Sequence, residues 1–267
     1  MKRAFGALGA MVALVLAAPA PVPAAQTRTI TMSGASPAQA LVADLAFFYR
    51  RETERAPRFS IVGGGTATGI ADAARGIVDA GLSGRALGPG DPAGLVFTPL
   101  ALSAICIVTN VANPLPSLSR AQIQDLVAGR LTTWPQVGGS RLADPIVHVS
   151  FDPTSGARSV FLNAFVDVET PFAYQPRTFT ATAQVRDFII ATPAAWGYLD
   201  LAFTRGLHPV AFEGQRCSAT GSYPARRQLG FVTRGKPRGA VRRFMRWIAR
   251  DATAKRVIRT RYVPVGQ

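Results

Sequence analysis

The stretch Gly63-Gly64-Gly65-Thr66-Ala67-Thr68-Gly69-Ile70 constrains this chain more than any other, because a strand-type run precedes it and a helical pattern follows it. Phe59, Ile61 and Val62 favour a pleated surface, whereas Ile70, Ala73, Ala74, Ile77 and Val78 recur at the spacing of one helix face. The implied order is strand, tight turn, helix. Glycines let the backbone turn sharply and come close to a ligand, and Thr66 and Thr68 set hydroxyls beside the unpaired N–H groups of a first helical turn. The residues leave two readings open. Either the turn cradles an anion, or it is an ordinary βα connection in which Thr68 is the N-cap. Spelling removes two familiar alternatives. A nucleoside-triphosphate loop needs a lysine after its last glycine, and Ile70, Ala71 and Asp72 follow Gly69 here. The dinucleotide fingerprint would begin at Gly63 and Gly65 but meets Thr68 where its third glycine belongs.

The same texture recurs. Ser33-Gly34-Ala35-Ser36-Pro37 follows a short alternating run and leads into a helix pattern with Ala38, Leu41, Val42, Leu45, Phe48 and Tyr49 on one face. Ser36 suits the N-cap, and Pro37 the first helical position, where a missing N–H costs nothing. A third turn of small residues runs from Val78 to Arg85. A fourth, Asp152-Pro153-Thr154-Ser155-Gly156-Ala157-Arg158, opens a helix with Val160, Phe161, Ala164 and Phe165 inward. Between them, residues 97–110 read as a long apolar strand. Ser119 and Gln122 form a capping box, Gly129 ends that helix in the left-handed conformation, and residues 131–139 read as a loop around Trp134. Residues 146–149, 196–199 and 229–233 read as further strands. The class is α/β. Successive βα turns aim helix N-termini at one end of a sheet, where open α/β folds bind ligands.

Lys2 and Arg3, the apolar run 7–18 and the small residues 22–25 spell a secretory signal over residues 1–25. The run is about a dozen residues, short of the roughly 20 that span a bilayer, although an uncleaved anchor is the alternative. The mature chain is expected to be soluble, free in the periplasm and, at about 240 residues, long enough for one large or two modest cores. Lys and Arg number 30 against 15 Asp and Glu. Such an excess fits nucleic acid, an anionic membrane surface or an anionic small ligand, and export argues against nucleic acid. Many of the basic residues crowd the last third. On its helix Val241, Phe244, Met245 and Ile248 form an apolar stripe, so Arg242, Arg243, Arg246 and Arg250 read as a solvated face rather than a docking surface. Cys106 and Cys217 are the two cysteines. Export allows a bridge, while the apolar run around Cys106 equally suits a buried thiol. His148 and His208 are the only histidines, no metal-ligand spacing occurs, and Gly81-Leu82-Ser83-Gly84 meets Arg85 where a nucleophile elbow needs glycine. No catalytic residue, metal or cofactor is expected.

Taken in order, these pieces resemble the periplasmic phosphate-binding proteins that feed phosphate ABC transporters. Ser33 to Ser36, Gly63 to Ile70 and Val78 to Ser83 are similar to that family's first three anion loops, and residues 107–114 to its segment crossing between lobes. Ile123 to Gly139, ending Trp-Pro-Gln-Val-Gly-Gly, Thr154 to Arg158 with Phe161, Trp196-Gly197-Tyr198 and Tyr223-Pro224-Ala225-Arg226 match its later landmarks. The resemblance implies a two-lobed type II periplasmic-binding-protein fold, each lobe a central mixed sheet flanked by helices. Residues 26–108 and 223–267 would form lobe I and residues 109–222 lobe II, hinged near Val108 and Tyr223. It implies a monomer that is no enzyme, holds inorganic phosphate or a related oxyanion, and hands it to an ABC permease in the inner membrane. The ligand-binding residues it implies are Ser36, Thr66, Thr68, Ser83, Arg85, Thr154, Ser155, Gly156, Ala157 and Arg158. Four positions depart from the family pattern. Pro37 has no N–H to donate, Ala157 replaces a threonine, Phe151 stands where some members carry a ligand-binding arginine, and Gly84 replaces a carboxylate or serine. Without an acceptor at position 84, discrimination between phosphate and sulfate is expected to weaken, with Asp79 bracing the turn rather than substituting. The alternative is a divergent member that binds another oxyanion, or acts as a sensor or interaction protein without tight phosphate binding.

Overall fold

Residues 28–166 and 175–266 are described by the computed structural model, so the secretory signal at residues 1–25 lies outside the described residues. The first half of the chain forms β1 (Thr29–Gly34), α1 (Ser36–Glu52), β2 (Arg58–Gly63), α2 (Gly65–Arg75), β3 (Ala80–Ser83) and β4 (Leu95–Thr109). Then come β5 (Ser117–Leu118), α3 (Arg120–Val127), α4 (Trp134–Val137), β6 (Val147–Phe151), α5 (Gly156–Phe165), β7 (Arg177–Phe179), α6 (Thr182–Ala191), β8 (Ala195–Asp200) and β9 (His208–Phe212). The chain closes with β10 (Arg226–Arg234), α7 (Gly239–Arg250), α8 (Ala252–Arg259) and β11 (Val263–Pro264).

A single mixed sheet runs through the molecule in the order β2-β1-β3-β10-β4-β8-β6-β7. β1 pairs parallel with β2 and β3, and β6 pairs parallel with β7 and β8. Each parallel set needs crossover helices, which α1, α2, α5 and α6 supply. The antiparallel strands β4 and β10 join the two sets. β4 is long enough to serve two cores: Leu100 and Ala101 belong to one, Ala104 to Val108 to the other. The return path does the same, with Tyr223 and Ala225 in the second core and Leu229 and Phe231 in the first. The α/β class is the one the turn pattern implied, and the two lobes are those the family resemblance implied.

Each core is closed by aromatic residues. In the first, Phe244 of α7 lies 5.1 Å from Tyr49 of α1 and 4.8 Å from Phe59 of β2, between ring centroids. In the second, Phe161 of α5 stacks on Tyr198 of β8 at 3.8 Å, and the Tyr198 hydroxyl meets Ser150 Oγ at 2.7 Å. Full burial of one such side chain is worth about 1.5 to 3 kcal/mol. Cys106 and Cys217 form a disulfide across 111 residues that ties the segment after β9 to β4. The bridge is therefore the alternative the chain adopts.

Some boundaries differ from the expectation. Ala35, not Ser36, is the N-cap of α1: its N–H donates to Leu82 O at 2.9 Å, which fixes Ala35 in an extended conformation and starts the helix at Ser36. Thr68 is likewise no cap, because α2 begins at Gly65 after Gly64. Trp134 sits in the short helix α4 rather than a loop, whose start is held by Gln136 Oε1 accepting from the Thr133 N–H at 2.9 Å. The C-terminal helix is two helices. Asp251 breaks it and caps α8 by accepting from the N–H groups of Thr253 and Ala254. The capping box at Ser119 and the left-handed Gly129 are where the sequence put them.

Candidate anion-binding site

Four helices begin around one small cavity of about 20 Å³ between the two cores. α1 contributes Ala35, Ser36 and Pro37, and α2 contributes Gly65 and Thr66. From the other core come Phe151 at the end of β6, Ser155 to Ala157 at the start of α5, and Thr180 and Thr182 at the start of α6; Arg227 of β10 completes the lining. No Asp or Glu lines the cavity among the described residues, and none of the four helices has an acidic residue in its first turn. Their dipoles thus meet without a compensating negative charge. Such an arrangement suits an anion.

The hydroxyls are set as donors. Thr66, 2 % exposed, accepts from the Gly84 N–H through Oγ1 at 3.0 Å, and Ser155 caps α5 by accepting from the Ala157 N–H at 3.2 Å. A hydroxyl that accepts from backbone keeps its own proton to give away. The two cores touch at this point. A Cβ built on Gly156 would lie 2.4 Å from Thr66 Oγ1, so only glycine lets α5 start this close to α2, and Ala67 N–H donates to Thr154 O at 3.4 Å across the same seam.

Arg227 is the charged member. It is 7 % exposed, and its Nη2 donates to Asp200 Oδ2 at 2.6 Å while Nη1 donates to Gly84 O at 3.3 Å. Asp200 is held in turn by Ser103 Oγ at 2.7 Å and by the Ala202 N–H at 3.0 Å. The Nε–H of Arg227 is buried with no hydrogen-bond partner among the described residues.

Five of the ten residues matched by resemblance line the cavity: Ser36, Thr66, Ser155, Gly156 and Ala157. The other five do not. Thr68 is exposed one turn along α2. Ser83 turns back on its own loop, donating to Arg85 O at 2.6 Å. Arg85 is committed to Asp91 through both Nη atoms, which holds that carboxyl below its usual range. The Thr154 hydroxyl donates to Asp152 Oδ1. Arg158 reaches back along β6 to Phe151 O at 3.1 Å. Asp79 braces β1 by accepting from the Thr31 N–H and hydroxyl at 2.9 and 3.1 Å.

Sequence reasoning missed Thr180, Thr182 and Arg227. Thr180-Ala181-Thr182-Ala183 before Val185 and Ile189 carries the same small, hydroxylated signature as the other turns. Arg227 had no local signal, since it follows another arginine in a run of basic residues.

Two α/β lobes meeting on helix N-termini define a solute-binding clamshell. The chain belongs to the PBP superfamily, whose domain model matches residues 20–252. It is similar to the phosphate-binding protein PstS of Bacillus subtilis, with 24% identity over 247 residues, 89% of this chain and 81% of that one. Among solved structures, it is similar to a Clostridium perfringens substrate-binding protein with bound phosphate, assigned to a phosphate ABC transporter. That likeness has a TM-score of 0.81 at 21% identity and covers 89% of this chain and 100% of that one. An ABC-type phosphate transport receptor from Vibrio cholerae matches with a TM-score of 0.68 at 22% identity, over 88% and 99%. At these identities the solved structures establish the fold.

Proposed function

We propose that this protein is an extracytoplasmic solute-binding protein that captures phosphate, or a related tetrahedral oxyanion, between its lobes and delivers it to an ABC permease. One observation carries the reading: four helix N-termini with free hydroxyl protons and no carboxylate meet in a single cavity. An anion there accepts from backbone N–H groups and from Ser36, Thr66, Ser155 and Thr182, each a hydrogen bond to a charged group. The names of the relatives point the same way, and the Cys106–Cys217 bridge suits an exported protein. We divide the chain into lobe I, residues 26–108 and 223–267, and lobe II, residues 109–222, the crossing stretches at 104–108 and 223–225 packing into the core of lobe II. Each lobe supplies two of the helix ends, so an anion held by all four favours the closed arrangement.

Chemistry beyond binding finds no support in the site. A hydrolase needs a nucleophile with a base in reach, and neither histidine lines the cavity. His148 lies buried against Trp196, with burial pushing its pKa down to about 3. Mass spectrometry of the natively purified protein, followed by calorimetric titration of the stripped protein with phosphate, tests the proposal. A retained oxyanion and saturable one-to-one binding are expected. A protein that takes up neither phosphate nor sulfate would overturn the reading.

A further inference from the structure

Gly84 is more than the loss of a side chain. A Cβ placed there would lie 2.9 Å from Arg227 Nη1 and 3.2 Å from Thr66 Oγ1, so the space a carboxylate or serine would need is filled by the guanidinium. Arg227 also closes off Asp200. Asp200 accepts from Arg227, Ser103 and the Ala202 backbone, and does not itself line the cavity. The other acids near the binding loops are engaged elsewhere: Asp72 with Ser33 and Arg75, Asp79 with Thr31 and Arg28, Asp91 with Arg85, and Asp152 with Thr154.

Building on the oxyanion reading above, we propose that Arg227, seated against Gly84, makes this a site for the fully ionised tetrahedral dianion, taking sulfate and dianionic phosphate alike. The strong acceptor for a protonated oxyanion is a carboxylate, and none faces the cavity among the described residues, which leaves only neutral hydroxyl oxygens to take that proton. The Nε–H of Arg227 is a buried donor without a protein partner among the described residues, and leaving such a donor unpaired is costly. With Asp200 neutralising the guanidinium, the four helix ends supply roughly half a positive charge each, together enough to match a dianion.

The pH dependence must then come from the ligand. The groups facing Arg227 are Asp200 of β8 and Tyr262 near the C-terminus, whose phenol burial and Asp200 hold well above its ordinary range. Neither histidine faces the site.

The experiment is calorimetric titration with phosphate and with sulfate at about pH 6 and pH 8, which bracket the second ionisation of phosphate. In the wild-type protein, phosphate affinity should rise about tenfold between the two while sulfate affinity stays constant, and sulfate should compete within about tenfold of phosphate at the higher pH, far below the 10⁴-fold or more that a buried acceptor provides. Phosphate binding that is flat or weaker at high pH, or that a thousandfold excess of sulfate fails to displace, would overturn this assignment and leave the oxyanion reading standing. Binding of neither anion would overturn both. The paired variant Arg227→Met with Asp200→Asn removes the ion pair without leaving a lone buried charge, and should bind both anions at least tenfold more weakly with a smaller pH dependence. If that variant melts cooperatively and binds both anions as the wild type does, Arg227 has no such role. The wild-type titrations decide the matter even where the variant fails to fold.

Discussion

Arg227 of β10 and Arg246 of α7 carry the same charge on successive elements of the chain, and they illustrate opposite uses of it. Arg227 is enclosed, fixed by Asp200 at 2.6 Å, and aligned with a cavity of helix ends. Arg246 stands on the wet face of an amphipathic helix whose buried face is Val241, Phe244, Met245 and Ile248. A charge in water is screened within about 8 Å at physiological salt, whereas one in a low-dielectric interior keeps its field and must be paired. The basic surplus of the sequence thus says little about the site. The polarity of the site comes from backbone dipoles and one arginine.

The largest effect should follow from breaking the buried pair on one side. Arg227→Met leaves Asp200 charged and enclosed, and is expected to cost about 3 to 5 kcal/mol of folding stability by denaturant titration. Adding Asp200→Asn should recover much of that loss. A single variant no less stable than the wild type would mean that water reaches Asp200 and that the pair is not buried in solution.

A second buried cationic side chain sharpens the comparison, because it is held neutral instead of charged. His148 is 2 % exposed and stacked on Trp196 at 4.5 Å, and burial first, then the charge of Arg158, pushes its pKa from 6.5 to about 3. The unfolded chain takes up the proton that the folded chain refuses. Stability is therefore complete above pH 6.5 and is lost as pH falls from there toward 3, by about 2 to 3 kcal/mol at about pH 4.5 for an isolated site. His148→Phe keeps a stacking ring and should flatten that slope. An unchanged slope would place the acid sensitivity in other groups.

Next come the hydroxyls. Thr66→Ala removes a donor to the anion and also the partner of the Gly84 N–H, so it should weaken phosphate binding by about 1 to 3 kcal/mol, and Ser155→Ala should do the same. Thr66→Ser keeps the hydroxyl and should retain most of the affinity. Equal losses in Thr66→Ala and Thr66→Ser would show that the methyl group, not the hydroxyl, matters.

What the sequence disclosed and what it hid divide along the same physical line. Local turns are written in local residues: the stretch from Gly63 to Ile70, Ser155-Gly156 and the capping box at Ser119 were legible, and with them the α/β class and half of the proposed site. Reading Ser36 and Thr68 as N-caps failed because the first residue of α1 is set by a hydrogen bond from Ala35 to Leu82 in a different strand, and the first of α2 by the turn at Gly64. Arg85 looked like a site residue until Asp91, six positions on, claimed it. Arg227 was invisible for the complementary reason. Its meaning depends on Asp200 and Gly84, which lie 27 and 143 residues away, and no spacing rule connects them.

The smallest effect should come from the residues that dominate the charge count. Arg242 and Arg246 share a solvent-exposed groove with Lys236 and Arg238, and none of them lines the cavity between the helix ends. Their influence on an anion there is a screened, long-range one. Arg246→Ala should change phosphate affinity by less than about twofold at physiological salt, with a somewhat larger effect only when the salt is lowered and the screening length grows. Arg227→Lys sets the scale for comparison: it keeps the charge but loses the planar fork that spans Asp200 and Gly84, so its loss should be larger and insensitive to salt. Calorimetry of the two variants at low and high salt separates the cases. A loss from Arg246→Ala that matches that of Arg227→Lys and vanishes in high salt would mean that the surface field, and not the enclosed arginine, attracts the anion.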